Sequence, residues 1–358
     1  MSIRLGVIGA GGIGRQHAES AAAAGSTVAM VCDVDLERAR GLAADFDNAR
    51  ATADVDEMLS NDGLDGVVVA APNAVHNELA IAALEAGKDV LLEKPMALDA
   101  AECDQIIKTL DASDQLLQLG FVSRYSPRTR QVAEFIASGR LGRIYYARAQ
   151  WYRRRGIPGL GGWFTAKKMA GGGVLIDLGV HLIDLVLHLT GRPAPERVSG
   201  VCTSTFGSPI DQYTYTDMWA GPPRPGGVFD VEDGAHALIR CAGGLTMELA
   251  TTWAANIDEQ LFPTGILLLG DRGGCFFETW GSTLTLSTEM DGALVDVKPQ
   301  LPPGDPWAIA WEAEHAAFGV SVASRTPPAA SAADGRQVQS VLDAIYRSSA
   351  AGREVEVE

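Results

Sequence analysis

Cysteine is scarce in this chain. Its 358 residues include five cysteines, which lie far apart and form no Cys-x-x-Cys pair. The sequence therefore indicates neither a disulfide-stapled scaffold nor a zinc site of closely spaced thiolates. The five, which we expect to be reduced, are Cys32, Cys103, Cys202, Cys241 and Cys275.

Basic charge and long apolar runs are also lacking. The chain has 29 Lys and Arg against 45 Asp and Glu, a formal net charge of -16. This charge repels phosphate backbones and anionic lipids, so we expect no nucleic-acid and no membrane partner. No run approaches the roughly 18 consecutive apolar residues of a membrane span. Because Met1 leads through Arg4 directly into a strand-like run, with no room for a secretory leader, we expect a cytoplasmic protein.

Glycine, in contrast, is abundant, and strand and helix patterns are dense. The 40 glycines make up about 11% of the chain, against a typical ~7%. Up to about residue 120, strands and helices alternate, which predicts a doubly wound parallel sheet covered on both faces. Later strand patterns follow one another closely and predict a large, mostly antiparallel open sheet. We predict an α/β protein with a first domain over residues 1–122 and a second α/β domain over 123–358.

A glycine motif follows the first predicted strand and opens a helix. Gly9, Gly11 and Gly14 have the Gly-x-Gly-x-x-Gly spacing. In this context the first glycine permits a tight turn, the second lets the backbone approach a pyrophosphate, and the third lets helix and strand pack closely. N–H groups at the helix start then bind the phosphates. The motif predicts dinucleotide binding in a Rossmann-type domain, with contacts from Gly9, Ala10, Gly11, Gly12, Ile13 and Gly14.

Asp33 ends the second predicted strand. A carboxylate at this position accepts hydrogen bonds from both ribose hydroxyls and repels a 2′-phosphate, and Asp35 adds a second negative charge. Arg38 is the counter-evidence, because a guanidinium pairs with a phosphate or stacks on adenine. We predict NAD as the cofactor in preference to NADP, with Asp33 and Arg38 both in contact with it.

The predicted helix 174–189 carries a polar stripe. It is apolar nearly all round, which is typical of a buried helix. Such a stripe must meet water, a ligand or an internal network, because unpaired buried polar groups cost about 1–3 kcal/mol each. Three glycines at 171–173 favour close approach of a ligand or of another backbone segment. The stripe, spaced by four, three and four residues, consists of Asp177, His181, Asp184 and His188.

Two further clusters end strands at the carboxyl edge of the predicted parallel sheet, where ligands bind in such folds. One is Glu93-Lys94-Pro95, in which Lys94 is either functional or a solvated tip. The other runs from Ala71 to His76; its Asn73 also fits a helix N-cap, and His76 fits a satisfied surface residue. Residues 152–155 and Lys168 either line a substrate pocket or form a solvated basic patch.

Together these segments resemble the Gfo/Idh/MocA family, named after glucose-fructose oxidoreductase, inositol dehydrogenase and MocA. The resemblance covers nearly the whole chain, and Glu-Lys-Pro together with the Asp and His four apart is its specific part. It rests on the glycine motif, Asp33, the Pro72–His76 turn, Glu93-Lys94-Pro95, Gly120-Phe121 leading to Arg124-Tyr125, and Gly171-Gly172-Gly173-x-x-x-Asp177-x-x-x-His181.

The resemblance implies an NAD-binding Rossmann domain and a substrate-binding domain whose open sheet forms the interface of a homodimer or homotetramer. It implies NAD(P)-dependent hydride transfer to or from a secondary alcohol or ketone of a sugar, cyclitol or sugar derivative. Lys94 would stabilise the reacting oxygen, His181 would be the general acid/base, and Asp177 would orient substrate and His181. The further cofactor contacts that it implies are Ala71, Pro72, Asn73, His76, Glu93, Lys94 and Trp163.

The chemistry of these residue types agrees with those roles. A histidine with a pKa near ~6.5 takes up a hydroxyl proton efficiently near neutral pH, and an ammonium stabilises the developing alkoxide. Two alternatives remain open, a non-catalytic dinucleotide-sensing regulator and a glycosidase that uses NAD for transient oxidation. No pair of histidines outside the helix 174–189 has metal-ligand spacing, so we predict no metal.

Overall fold

The computed structural model describes residues 2–300 and 303–358. The helices are α1 Gly12–Ala23, α2 Leu36–Ala43, α3 Val55–Leu59, α4 His76–Glu85, α5 Ala100–Asp111, α6 Pro127–Ala137, α7 Lys167–Ala170, α8 Val180–Leu189, α9 Pro306–Ser324 and α10 Ala332–Ala351. The strands are β1 Arg4–Ile8, β2 Thr27–Cys32, β3 Arg50–Thr52, β4 Gly66–Val69, β5 Asp89–Glu93, β6 Leu117–Gly120, β7 Ile144–Tyr152, β8 Pro195–Thr203, β9 Gly234–Cys241, β10 Thr246–Thr252, β11 Gly265–Gly270, β12 Gly273–Glu278, β13 Leu284–Met290, β14 Ala293–Val297 and β15 Val355–Glu356.

The chain divides into two compact units. The first contains the chain up to Tyr125 together with Ala308–Arg336, and the second contains Ser126–Trp307 and Gln337–Glu358. The segment Ala308–Arg336, which the predicted division at residue 122 assigns to the second domain, thus packs with the first unit. Its packing explains this, because Phe318 and Val322 of α9 lie in one buried apolar cluster with Leu5 and Val7 of β1.

The first unit contains a six-stranded parallel sheet in the order β3-β2-β1-β4-β5-β6. Every residue of β4 and β5 is buried, and each strand contains an apolar run of three residues, as expected for a sheet covered on both faces. The strand order reverses direction at β1 and β4. The loops that follow these two strands therefore line the crevice in which doubly wound folds bind ligands.

The second unit contains a nine-stranded sheet in the order β14-β13-β12-β11-β7-β10-β9-β8-β15. Neighbouring strands are antiparallel except for β7 and β10, which pair in parallel. Both predicted sheets are thus confirmed. One difference lies at the predicted helix 174–189, where a π-helical turn at Leu175–Gly179 precedes α8. Such turns insert a residue into the helical repeat and shift the side chains that precede it.

The helical stretch Lys167–Leu189 is long and apolar enough, by length and composition alone, to cross a membrane. However, 83% of its apolar window is buried inside the protein. Burial of this kind is that of a core helix, because the side chains already pack against protein. The expected cytoplasmic location stays a prediction.

Candidate active site

The glycine loop between β1 and α1 has two kinds of glycine. Gly9 has a φ of 99°, and a Cβ there would lie 2.5 Å from the Ala70 carbonyl oxygen. A Cβ on Gly14 would overlap the Gly9 carbonyl group. In contrast, a Cβ on Gly11 or Gly12 would meet no described atom within 4 Å. Gly9 and Gly14 are therefore required by the fold, whereas Gly11 and Gly12 leave open space above the loop.

That open space lies at the start of α1. Gly11 is the N-cap residue, and within the described part of the chain no side chain caps this helix. The N-terminal N–H groups of a helix carry partial positive charge and bind phosphate well. The loop therefore fits the diphosphate of a dinucleotide.

Asp33 follows β2 and is 8% exposed. Its Oδ2 accepts a hydrogen bond from the Ala10 N–H at 2.8 Å, and its Oδ1 accepts one from the Asp35 N–H at 2.9 Å. The carboxylate thus supports the glycine loop and retains lone pairs for ribose hydroxyls. Arg38 lies 3.5 Å from Asp33 and 3.4 Å from Asp35. The positive charge of Arg38, which would favour a 2′-phosphate, is therefore already paired with two carboxylates.

The loops after β4 and β5 meet at His76. This ring is 1% exposed; its Nδ1 lies 2.8 Å from the Pro95 carbonyl oxygen and its Nε2 lies 2.9 Å from that of Ala71. Burial lowers the pKa of His76, although the two carbonyl oxygens oppose this shift. The ring ties the Ala71 segment to the loop that carries Lys94. Asn73 is buried in the same turn, and direct cofactor contacts from these residues stay predictions.

Glu93 lies beneath Lys94 in a buried polar cluster. Glu93 Oε2 accepts a hydrogen bond from the Lys94 N–H at 3.1 Å, and Oε1 lies 2.9 Å from His17 Nε2. The other ring nitrogen of His17 lies 2.9 Å from Nε2 of His315 on α9. Burial acts to raise the pKa of Glu93, but the hydrogen bond and charge of His17 and the charge of Lys94 outweigh it, so this pKa is lowered. Glu93 thus supports the backbone of the lysine.

Glu314, next to His315, is a buried carboxyl of a different kind. It is 0% exposed, and neither carboxyl oxygen has a hydrogen-bond partner among the described residues. Burial, together with the charge of Glu93, raises its pKa well above the ordinary value, although Arg124 opposes the shift. Burial thus favours the neutral form of this side chain over the ionised form.

In the second unit, Asp177 and His181 lie on the π-turn and on α8. Asp177 Oδ2 accepts a hydrogen bond from the Trp253 Nε1–H at 2.9 Å and lies 3.9 Å from Arg153 Nη1. The His181 ring centroid is 6.4 Å from that of Trp151. Burial lowers the pKa of Arg153, although Asp177 opposes this shift. The polar stripe is thus flanked by an indole donor, a guanidinium and an aromatic ring.

Asp184, the next residue of the polar stripe, lies close to an arginine. Asp184 is buried and lies 3.7 Å from Arg192.

Trp163 lies in a short 3-10 turn and stacks on Phe164, with ring centroids 3.9 Å apart. The predicted cofactor contact of Trp163 stays a prediction. Of the residues described, no three His, Cys, Asp or Glu side chains form a group that could hold a metal ion.

The three glycines before the helix accommodate the protein's own atoms. A Cβ on Gly172 would overlap the Tyr346 hydroxyl, and one on Gly173 would overlap the Glu232 carbonyl group. The Glu232 carboxylate accepts hydrogen bonds from the N–H groups of Gly173 and Leu175 and from the Tyr346 hydroxyl, at 2.9 to 3.0 Å. Burial raises the pKa of Glu232, and these donors oppose that shift. Glu232 thus anchors the start of the site helix.

Comparison with known families accounts for both units. Residues 3–121 match the family described as "Oxidoreductase family, NAD-binding Rossmann fold", and residues 129–275 match the "GFO/IDH/MocA C-terminal domain". The chain belongs to the Gfo/Idh/MocA family. It is an NAD-binding oxidoreductase.

Individual members of the Gfo/Idh/MocA family match along the full length. The chain is 30% identical to a D-glucoside 3-dehydrogenase of Escherichia coli (strain K12), over 99% of this chain and 97% of that protein. It is 27% identical to inositol 2-dehydrogenase 2 of Saccharopolyspora erythraea, over 100% and 96% of the two chains. Levoglucosan dehydrogenase, solved with NADH and levoglucosan, shares the fold with a TM-score of 0.88 at 24% identity, and each chain is covered completely.

Several residues around these positions were missed by the sequence analysis. Trp151 and Trp253 come from two different strand ends, and His17 comes from the buried face of α1. No local pattern marks these residues, because single Trp and His residues in apolar surroundings are common. Arg153 belongs to residues 152–155, for which the sequence leaves open a pocket lining or a solvated basic patch. Its neighbour Arg154 is exposed, so alternation along the strand end was the signal that could have separated them.

Proposed function

We propose that this chain is an NAD-dependent dehydrogenase that oxidises a secondary alcohol of a sugar, cyclitol or sugar derivative. The observation that carries the proposal is the placement of Asp177 and His181 together with Arg153 and Trp151. A histidine next to an oriented carboxylate is suited to proton transfer, and an aromatic ring with a guanidinium is suited to binding a polyol.

The chain's own residues would divide the work as follows. His181 accepts the hydroxyl proton of the substrate, and Asp177, held by Trp253 and Arg153, orients the substrate and the His181 ring. Lys94 stabilises the negative charge that develops on the reacting oxygen. Glu93 and His76 hold the loop that carries this lysine.

NAD, when bound, supplies the hydride acceptor. The residues that would hold it are those of the glycine loop, with Gly11 and Gly12 leaving room for the diphosphate and Asp33 accepting bonds from the ribose. Arg38, already paired with Asp33 and Asp35, gives little attraction for a 2′-phosphate. We therefore expect NAD to be used better than NADP.

The test is NADH formation, followed by absorbance, with purified protein, NAD and a panel of cyclitols, aldoses and glycosides, and with NADP in parallel. We expect turnover with one group of substrates, faster with NAD, and its loss in His181→Ala. Tight NADH binding without turnover of any substrate would contradict the proposal and favour a regulator. Release of a free sugar without net NADH would favour a redox glycosidase.

We also propose a homodimer or homotetramer. One face of the second unit's sheet has exposed side chains, including those of Val201 and Arg148, which are 49% and 48% exposed. A depression of about 420 Å³ on the sheet is lined by residues such as Arg148, His236 and Glu248. A sheet face of this kind suits self-association. Light scattering after size-exclusion chromatography tests it, and a monomeric mass would contradict it.

A further inference from the structure

A cavity in the second unit shares one lining residue with the surroundings of the proposed proton acceptor, His181. It encloses about 390 Å³, within the range of about 300–1,000 Å³ that small-ligand sites occupy. Trp151, whose ring neighbours His181, also lines this cavity. Trp151 is therefore shared between the surroundings of His181 and the cavity.

Two tryptophans provide the apolar part of the cavity lining. Besides Trp151, the lining includes Trp280, which is half-buried and packs edge-on against Trp307 with ring centroids 4.5 Å apart. An indole ring held in this way presents a flat apolar surface with few conformations to lose on binding. The C–H faces of a sugar ring, or the face of an aromatic ring, pack well on such a surface.

Two carboxylates provide the polar part. Glu259 Oε1 accepts a hydrogen bond from the Arg154 N–H at 2.7 Å, and Glu278 Oε2 accepts one from the Thr283 N–H at 2.7 Å. Each carboxylate is thus fixed through one oxygen and has a second oxygen that can accept a hydrogen bond from a hydroxyl group. Hydrogen bonds to ionised acceptors are about twice as strong as neutral ones.

The charges of the lining restrict the class of ligand. Of the described residues that line the cavity, none is Lys or Arg, and two are Glu. Two arginines lie near the lining without being part of it. Arg128 is buried and interacts with Glu278, and Arg153 interacts with Glu259 and lies over the Trp151 ring, with its Cζ 5.4 Å from the ring centroid. Carboxylates without a lining cation repel phosphate and carboxylate groups. The cavity therefore suits an uncharged ring with hydroxyl groups or an aromatic ring, and it disfavours sugar phosphates and nucleotide sugars.

We propose that this cavity is the subsite for the uncharged aglycone or second sugar of a glycoside whose other ring is oxidised at His181. This deepens the function proposed above and rests on it. Trp280 and Glu278 are then specificity-determining residues. They contact the part of the substrate that is not oxidised, so their loss affects large glycosides and spares small ones.

The test compares three derivatives of whichever sugar ring the substrate panel identifies: its methyl glycoside, its phenyl glycoside and its 1-phosphate. We expect kcat/KM to be at least about tenfold higher for the phenyl than for the methyl glycoside, and lowest for the 1-phosphate. Trp280→Ala should remove the phenyl advantage and leave the methyl glycoside within about twofold. Trp280→Phe, which keeps an aromatic ring, should retain part of the advantage of the phenyl glycoside.

Glu278→Gln is the charge test. It should raise the rate with the 1-phosphate relative to the methyl glycoside, whereas Glu289→Gln, an exposed glutamate outside the cavity lining, should not. Equal kcat/KM for phenyl and methyl glycosides, or an equal loss of both in Trp280→Ala, would overturn the subsite.

A binding measurement separates this proposal from the proposed function. Calorimetric titration of the NADH-loaded protein with phenyl β-D-glucopyranoside requires no turnover. Binding that is lost in Trp280→Ala supports the subsite even if no sugar is oxidised, in which case only the dehydrogenase proposal fails. Turnover of small sugars without any such binding overturns the subsite and leaves the dehydrogenase proposal intact.

Discussion

The two candidate binding regions are built from different parts of the polypeptide. The glycine loop of the first unit is made of consecutive residues. Its surface consists of main-chain N–H groups, because its glycines have no side chains to cover them. The surroundings of Asp177 in the second unit are side chains, Arg153 and Trp253, that come from strand ends about a hundred residues apart. The first region depends on the absence of side chains at its four glycines, and the second depends on long-range packing.

The largest expected effect tests whether the side-chain region carries the chemistry. His181→Ala should lower kcat by about 10²–10⁴-fold, because it removes the proton acceptor. The NADH dissociation constant should stay within about twofold, because the glycine loop is unaltered. Stopped-flow or steady-state absorbance gives kcat, and NADH fluorescence gives the binding constant. Lys94→Ala should behave in the same way, and equal losses of binding and turnover would indicate a structural role instead.

The next effect separates the two kinds of glycine in the loop. Gly14→Ala should lower the free energy of unfolding by about 2–4 kcal/mol even without cofactor, because its Cβ overlaps the Gly9 carbonyl group. Gly11→Ala should leave the melting temperature of the cofactor-free protein unchanged but weaken NADH binding by about tenfold or more. Thermal unfolding and fluorescence titration measure both. Equal melting temperatures of the two variants would contradict the distinction.

The same contrast explains what the sequence could predict. The glycine loop, Asp33 and both sheets were predictable because their signals are local: spacing, alternation, and the residue that ends a strand. The pairing of Asp177 with Trp253 was not, because it depends on the register of β10 against its neighbours. The packing of α9 against β1 was missed for the same reason, since an apolar helix does not specify which sheet it covers. The three glycines before α8 were read as room for a ligand or backbone, and the side chain of Tyr346 and the backbone of Glu232 take up that room.

A smaller effect tests the support of Asp177. Trp253→Phe removes the indole N–H and keeps an aromatic ring in the buried position. We expect kcat/KM to fall by about 10–100-fold, since hydrogen bonds to charged groups contribute about 1.5–3 kcal/mol. The control is the same substitution in an Asp177→Ala background, where the further loss should be close to none. A full further loss there would show that Trp253 acts through packing alone.

The smallest effect concerns two buried glutamates, Glu232 of the second unit and Glu314 of the first. Replacing each by glutamine should change the stability of the protein in opposite directions. Glu232 has three donors around its carboxylate, two backbone N–H groups and one hydroxyl. Glu232→Gln therefore places an amide N–H₂ against N–H and O–H donors and should cost about 1–3 kcal/mol. Glu314 has no hydrogen-bond partner among the described residues, so Glu314→Gln should raise the melting temperature.

The dependence of the melting temperature on pH is the control for the Glu314→Gln prediction. The pKa of Glu314 is raised well above the ordinary 4.5, so between 4.5 and the raised value the folded chain holds a proton that the unfolded chain has lost. The contribution of Glu314 to stability therefore falls as the pH rises through this window. Glutamine does not titrate, so the difference in melting temperature between Glu314→Gln and the parent protein should grow as the pH rises above 4.5 through this window. A difference that is constant with pH would mean that Glu314 is ionised in the folded protein, in contact with a partner that stabilises its charge.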